Sequence, residues 1–128
     1  MAIDATFGSY TIVAFVATAK PAKARSFYRD TLGLRLVSED AFALAFDAHG
    51  TMLRVTIVKE VRAADYTVLG WQVPDIVAAA KRLREAGVQL QRYPGMGQDE
   101  LGIWTSPSGA RVAWFKDPDG NTLSITQF

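Results

Sequence analysis

The side chains able to do chemistry are few, and their types exclude more than they permit. The chain has no cysteine. Disulfides, thiolate nucleophiles, Cys-type zinc sites and iron–sulfur clusters are therefore ruled out. Its one histidine, His49, lies in Asp47-Ala48-His49-Gly50, a stretch with turn chemistry. A lone turn histidine is expected to be solvated, and no nucleophile stands beside it in the sequence. The chain carries no G-x-S-x-G, no Walker loop and no GxGxxG. What remains is Arg54, which interrupts the apolar run Met52–Val58 and either clamps a ligand anion or reaches solvent. Asp99 and Glu100 sit in the Gly- and Pro-rich stretch Arg92–Gly102, which reads either as a lid or as an ordinary connection. An acid there serves as a general base only when closed over a cavity. Tyr28 offers a hydroxyl, and Trp71, Trp104 and Trp114 offer stacking surfaces.

These residues must be positioned by a chain of 128 residues, the size of one ordinary domain. Hydrophobic residues make up 49% and charged residues 21%, which is globular composition. Basic and acidic residues number 14 and 13, so the net charge of +1 gives no reason to expect nucleic acid or an anionic membrane as partner. No apolar run approaches the roughly 18 residues of a membrane span. Met1 to Val13 lacks the basic segment and long apolar stretch of a secretory signal, so the expected location is cytoplasmic.

The periodicities predict the elements. Tyr10 to Thr18 is β-branched and aromatic and reads as a strand. Pro21 suits a first helical turn, and Ala24, Phe27, Tyr28 and Leu32 recur at helical spacing up to Gly33. Strands are expected at Leu34–Ser38, Phe42–Asp47 and Met52–Val58. The order then repeats. Tyr66–Val73 reads as a strand, Asp75 as an N-cap, and Ile76–Ala86 as an amphipathic helix ended by Gly87. A strand is expected to begin at Val88–Gln91, with a short one at Ile103–Thr105. The last two, Arg111–Lys116 and Thr122–Gln127, are joined by the turn Asp117–Asn121. The chain is thus read as α+β, two βαβββ modules at about 8–60 and 65–128, forming one domain over residues 1–128.

Three segments now resemble a known family. FYRDTLGLRLV (Phe27–Val37), VPDIVAAAKRLREAGV (Val73–Val88) and WFKDPDGNTLSI (Trp114–Ile125) resemble, in order, the motifs of the vicinal oxygen chelate superfamily. That superfamily includes glyoxalases, bleomycin-resistance proteins and extradiol dioxygenases. The turn alone is weakly specific; the three together mark the superfamily but no single activity. The resemblance implies a curled mixed sheet, a half-barrel with helices on its outer face and a small-molecule cavity inside. In metal-using members, four strand positions hold a divalent ion that polarises neighbouring substrate oxygens. The matching positions here are Val13, Arg54, Val68 and Ser124. None supplies the carboxylate or imidazole such ions need, and a guanidinium places a permanent cation in the slot. Neither a metal nor another cofactor is expected.

Strand alternation then sorts the lining. Val13 and Phe15, Met52, Arg54 and Thr56, Val68 and Gln72, and Ser124 are expected toward the cavity. Trp104, beside the Gly- and Pro-rich loop, is expected either at its rim or in plain packing. Trp71 is expected on the helix side, in the core. Trp114 and Phe115 lie on opposite faces of one strand; pairing Phe115 with Thr122 across the last hairpin puts Phe115 toward the cavity, and a different turn geometry reverses the two. The expected function is metal-independent binding of a small aromatic or anionic compound. A metal-free lyase or isomerase using Arg54, and a ligand-free interaction or regulatory subunit, are the other readings. The resemblance leaves open both a homodimer and closure within one chain.

Overall fold

A computed structural model of the chain describes residues 6–128. The first five residues, part of the stretch read for a signal, lie outside the described residues. The first module contributes β1 (Val13–Thr18), α1 (Pro21–Arg25), β2 (Arg35–Glu39), β3 (Ala43–Ala48) and β4 (Thr51–Ile57). The second contributes β5 (Leu69–Gln72), α2 (Ile76–Glu85), β6 (Trp104–Thr105), β7 (Arg111–Lys116) and β8 (Thr122–Gln127). Each module folds into a four-stranded mixed sheet, in the orders β1-β4-β3-β2 and β5-β8-β7-β6. In both, the strand before the helix lies parallel to the last strand of the module. The two sheets stay separate rather than closing into one barrel.

The helix starts and stops have local causes. Asp75 caps α2 by accepting a hydrogen bond from the Ala78 amide at 3.1 Å, which satisfies an otherwise orphaned donor. Pro21 opens α1, where its missing N–H costs nothing. The expected helix Pro21–Leu32 is only half α-helical. From Ser26 to Thr31 the chain winds as a π-helix, and the Leu32 amide reaches back to the Phe27 carbonyl at 2.9 Å. Within this turn Phe27 and Tyr28 lie edge to face, with ring centroids 5.2 Å apart.

Three expected strands are shorter than read, among them Trp104–Thr105 in place of Ile103–Thr105, and a fourth is absent. The first begins at Val13 rather than Tyr10, and the fifth spans Leu69–Gln72 rather than Tyr66–Val73. Val88–Gln91 forms no strand; beside β7 it makes one backbone bond, from the Gln91 amide to the Trp114 carbonyl. The β-favouring composition of that stretch is outweighed because the chain leaves the sheet edge at once for the loop.

One core runs through both modules. Val16, Leu44, Phe46, Leu53 and Val55 of the first sheet join Ala113, Phe115, Leu123 and Ile125 of the second, with Tyr28, Ile76 and Ala80 between. These residues define the helix-facing side of each sheet; the other side is called the open face.

The turn Asp117–Asn121 fastens the second module to the first. Buried Asp117 accepts from the Tyr28 hydroxyl at 2.7 Å, the Asn121 side-chain amide at 2.8 Å, and the Asp119 and Asn121 backbone amides at 2.9 Å. Asn121 also donates to the Ala17 carbonyl at the end of β1, at 2.9 Å. Asp119 accepts from the Thr18 hydroxyl at 2.5 Å and the Ala19 amide at 2.9 Å. Tyr28 therefore serves as a buried structural partner of this turn.

Candidate functional site

The open face of the first sheet is set by register. Val13 pairs with Met52, Phe15 with Arg54 and Ala17 with Thr56. Their neighbours Leu53 and Val55 are fully buried on the other side. So Val13, Phe15, Met52, Arg54 and Thr56 share one face, as alternation requires. That face is bare. Phe15 is 59% exposed, and Val13 and Met52 about 40%. Arg54 is half-buried and makes no ion pair among the described residues. Its charge is felt by Asp40 in the β2–β3 connection. The amides of Phe42 and Ala43 hold that carboxyl below its ordinary range, and the Arg54 charge adds to the effect.

The second sheet repeats the arrangement. Gly70 pairs with Ser124, and Gln72 with Thr126. Val68 precedes β5 and donates its amide to the Thr122 carbonyl. Ser124 sits directly over Gly70: a Cβ built on Gly70 would lie 2.7 Å from the serine hydroxyl oxygen. Glycine is needed there for close approach, not for its backbone angle. Gly70→Ala is expected to lower stability by about 1–2 kcal/mol, with Ser124→Ala in the same chain restoring most of it. Urea denaturation of the single and double variants measures that coupling.

Phe115 does not belong to the open face. The five-residue turn sets Lys116 opposite Thr122, so Phe115 pairs with Leu123 and Trp114 with Ser124. Phe115 is 1% exposed and stacks with Trp71 on the helix side, at 6.4 Å between ring centroids. The expected pairing with Thr122 was one residue out of register, and such a slip exchanges the two faces. The expected place of Phe115 on the open face is taken by Trp114, which pairs with Ser124. Its indole N–H donates to the Thr67 hydroxyl at 3.0 Å, so the ring reaches across β8 toward the start of β5. Tyr93 meets it edge-on at 5.5 Å, and Trp104 lies tilted at 6.0 Å. Counting outward from the turn, with Lys116 and Thr122 as its last pair, would have found Trp114. Trp104, read as either a rim or a packing residue, is part of this aromatic cluster.

The Arg92–Gly102 loop is tied down by its own polar groups. Gln98 accepts from the Tyr93 amide at 2.7 Å and donates to the Gln91 and Gly102 carbonyls at 2.9 and 2.7 Å. Arg92 donates to the Asp99 and Glu100 carbonyls. One carboxylate oxygen of Asp99 accepts from the Leu101 and Ile103 amides, both at 2.9 Å. Asp99 thereby shapes the loop. His49 is exposed in its turn, in left-handed backbone geometry.

A family model described as the Glyoxalase/Bleomycin resistance protein/Dioxygenase superfamily matches residues 10–125. The chain belongs to this superfamily. Solved structures agree on the fold. Lactoylglutathione lyase from Agrobacterium tumefaciens is 17% identical with a TM-score of 0.73, over 93% of each chain. A superfamily member from Sphaerobacter thermophilus DSM 20745 is 24% identical with a TM-score of 0.72, over 94% of this chain and 98% of that one. A glyoxalase/bleomycin resistance protein/dioxygenase from Alicyclobacillus acidocaldarius is 15% identical with a TM-score of 0.71, over 94% and 92%. No match is found among curated proteins.

The superfamily's metal can be tested against the residues present. Val13 and Arg54 lie on one open face, Val68 and Ser124 on the other. In each module the first slot stands two residues ahead of the partner of the second: Phe15 faces Arg54, and Gly70 faces Ser124. The slots therefore correspond, but their side chains offer one hydroxyl, one guanidinium and two isopropyl groups. No group of three His, Asp or Glu gathers among the described residues. This donor set does not fit a divalent cation.

Proposed function

We propose that this superfamily member binds a small aromatic compound without a metal, on the open face of its second sheet. The observation that carries this reading is the cluster Tyr93–Trp114–Trp104, standing beside a slot that holds Ser124 in place of a cation ligand. Aromatic faces recognise planar guests by offset stacking and area burial. A hydrogen-bonded indole is pre-oriented, which lowers the cost of capturing the guest. Gln72 and Ser124 add polar groups that fix orientation, as in most small-molecule sites. On the first sheet, Arg54 is suited to a guest's anionic group.

The same reading includes a second copy of the chain. Val13, Phe15 and Met52 are neighbours by register, and all are exposed. A cluster of this kind on an open sheet face marks a contact surface. A homodimer that covers it would complete the cavity.

Calorimetric titration of chelator-treated protein with zinc, nickel, manganese and ferrous ions is expected to give no tight binding, while polycyclic aromatics quench tryptophan fluorescence saturably. A tight cation at about 1:1 would sink the reading. By sedimentation, the wild type is expected to be a dimer and Phe15→Glu a monomer. A wild type that stays monomeric at tens of micromolar removes the second copy from the proposal.

A further inference from the structure

A cavity of about 380 Å³ lies on the helix side of the second sheet, touching the open face only at Gln72 of the edge strand β5. Its floor is Trp71, Phe115 and Ile125, and α2 forms one wall. The opposite wall is the end of the π-helical segment, Thr31 and Leu32. Trp114 and Phe115 are consecutive residues on opposite faces of β7, so the sheet itself separates this cavity from the aromatic cluster described above.

The shape follows from the sequence of α2. Asp75, Ala78, Ala79 and Arg82 recur at intervals of three and four, so they form one stripe along the helix. Alanines in the middle leave the hollow. The two charged residues sit at its ends, about 10 Å apart along the axis. They are not equivalent. The Asp75 carboxylate is engaged by the Ala78 amide, whereas Arg82 makes no ion pair or side-chain hydrogen bond among the described residues. Trp71 explains why the hollow matters. It alternates onto the core side, pairs with Ile125 and stacks on Phe115, yet remains only half-buried. The π-helical turn, a feature frequent at functional sites, ends at the cavity wall.

We propose that this cavity is a second ligand site, and that it takes an aromatic anion with its ring system along Trp71 and its carboxylate or sulfonate at Arg82. The cavity is within the usual size range for small-molecule sites and mostly apolar in its lining. An unpaired guanidinium at one end and a carboxylate at the other orient the guest: the anion lies toward Arg82 and away from Asp75. The site does not rest on the open-face reading and would survive its failure.

Anilinonaphthalene sulfonate is a suitable probe. Trp104→Phe with Trp114→Phe leaves Trp71 as the last of the chain's three tryptophans. In that double variant, excitation of Trp71 is expected to transfer energy to the bound probe, saturating at about one probe per chain. Arg82→Gln is expected to weaken binding about fivefold, the modest effect of a solvent-facing charge contact. Ala79→Phe is expected to fill the hollow and remove the signal. Arg82 is exposed, so its replacement carries the test even where Ala79→Phe folds poorly. No transfer from Trp71 overturns the site. Binding that is unchanged in both Arg82→Gln and Ala79→Phe also overturns it. Loss with Ala79→Phe alone overturns the anion assignment.

Discussion

Asp117→Ala is expected to cost about 4 kcal/mol of folding stability, a loss that few single substitutions reach. The wild-type carboxylate is buried and accepts four hydrogen bonds. Removing it strands the buried Tyr28 hydroxyl, one N–H of the Asn121 side-chain amide and the Asn121 backbone amide, and frees the part-buried Asp119 amide. Unmade bonds of this kind cost more than made ones contribute. The turn also holds Thr18, Ala19 and the Ala17 carbonyl of the first module, so its loss is expected to loosen the docking of the two sheets. Urea denaturation measures the effect as a fall in midpoint at an unchanged slope. A loss under 1 kcal/mol would show that the turn is decoration rather than fastening.

The same contact makes a pH prediction. Burial first, and the Asp117 charge second, push the Tyr28 hydroxyl far above its ordinary value of 10.0. The folded chain then holds this proton where the unfolded chain has released it. The stabilisation is fully present below about pH 10 and is lost progressively as pH rises beyond it. Tyr28→Phe removes one hydrogen bond, at about 1.5 kcal/mol near neutrality, and should flatten this alkaline limb. Stability followed between neutral and strongly alkaline pH separates the two.

Trp114→Ala is expected to weaken aromatic binding on the open face by about 30- to 100-fold, equivalent to roughly 2–3 kcal/mol. The ring is the centre of its cluster, in contact with both Tyr93 and Trp104. Trp114→Phe keeps a stacking surface and should lose about fivefold. Thr67→Val removes only the acceptor that orients the indole, so its effect should fall mainly on the dissociation rate. Fluorescence titration and stopped-flow dissociation report these separately. Equal affinities in wild type and Trp114→Ala would place the guest elsewhere.

Much of the scaffold was legible in the sequence because several local signals coincide. Asp75 before an amphipathic run, and Gly33 and Gly87 after helical ones, fix where helices start and stop. The alternation in Met52–Ile57 sorted Arg54 from Leu53 and Val55 without error. The last hairpin's strands were read at their true ends, yet its faces were exchanged, because the register depends on how many residues the turn consumes. That number is decided by the hydrogen bonds of Asp117, which composition does not reveal. The π-helical turn was equally hidden: Phe27, Tyr28 and Leu32 satisfy a helical spacing whether the chain winds with four or five residues between donor and acceptor. Trp71 was correctly placed on the helix side. Sequence could not disclose that two alanines opposite it leave a hollow.

The fastening turn also constrains how the chain can be made. Its bonds join Thr18 to Asp119 and Ala17 to Asn121, across 101 and 104 residues of chain. At ribosomal speed the second partner emerges roughly 5–20 s after the first. Throughout that interval the nascent first module displays an unclosed flank, with Tyr28 lacking its acceptor and Phe27 lacking its contact with Phe115. A segment synthesised about 100 residues later is thus the one that finishes the first module, and interruption of translation before residue 117 leaves a product that no amount of waiting will complete.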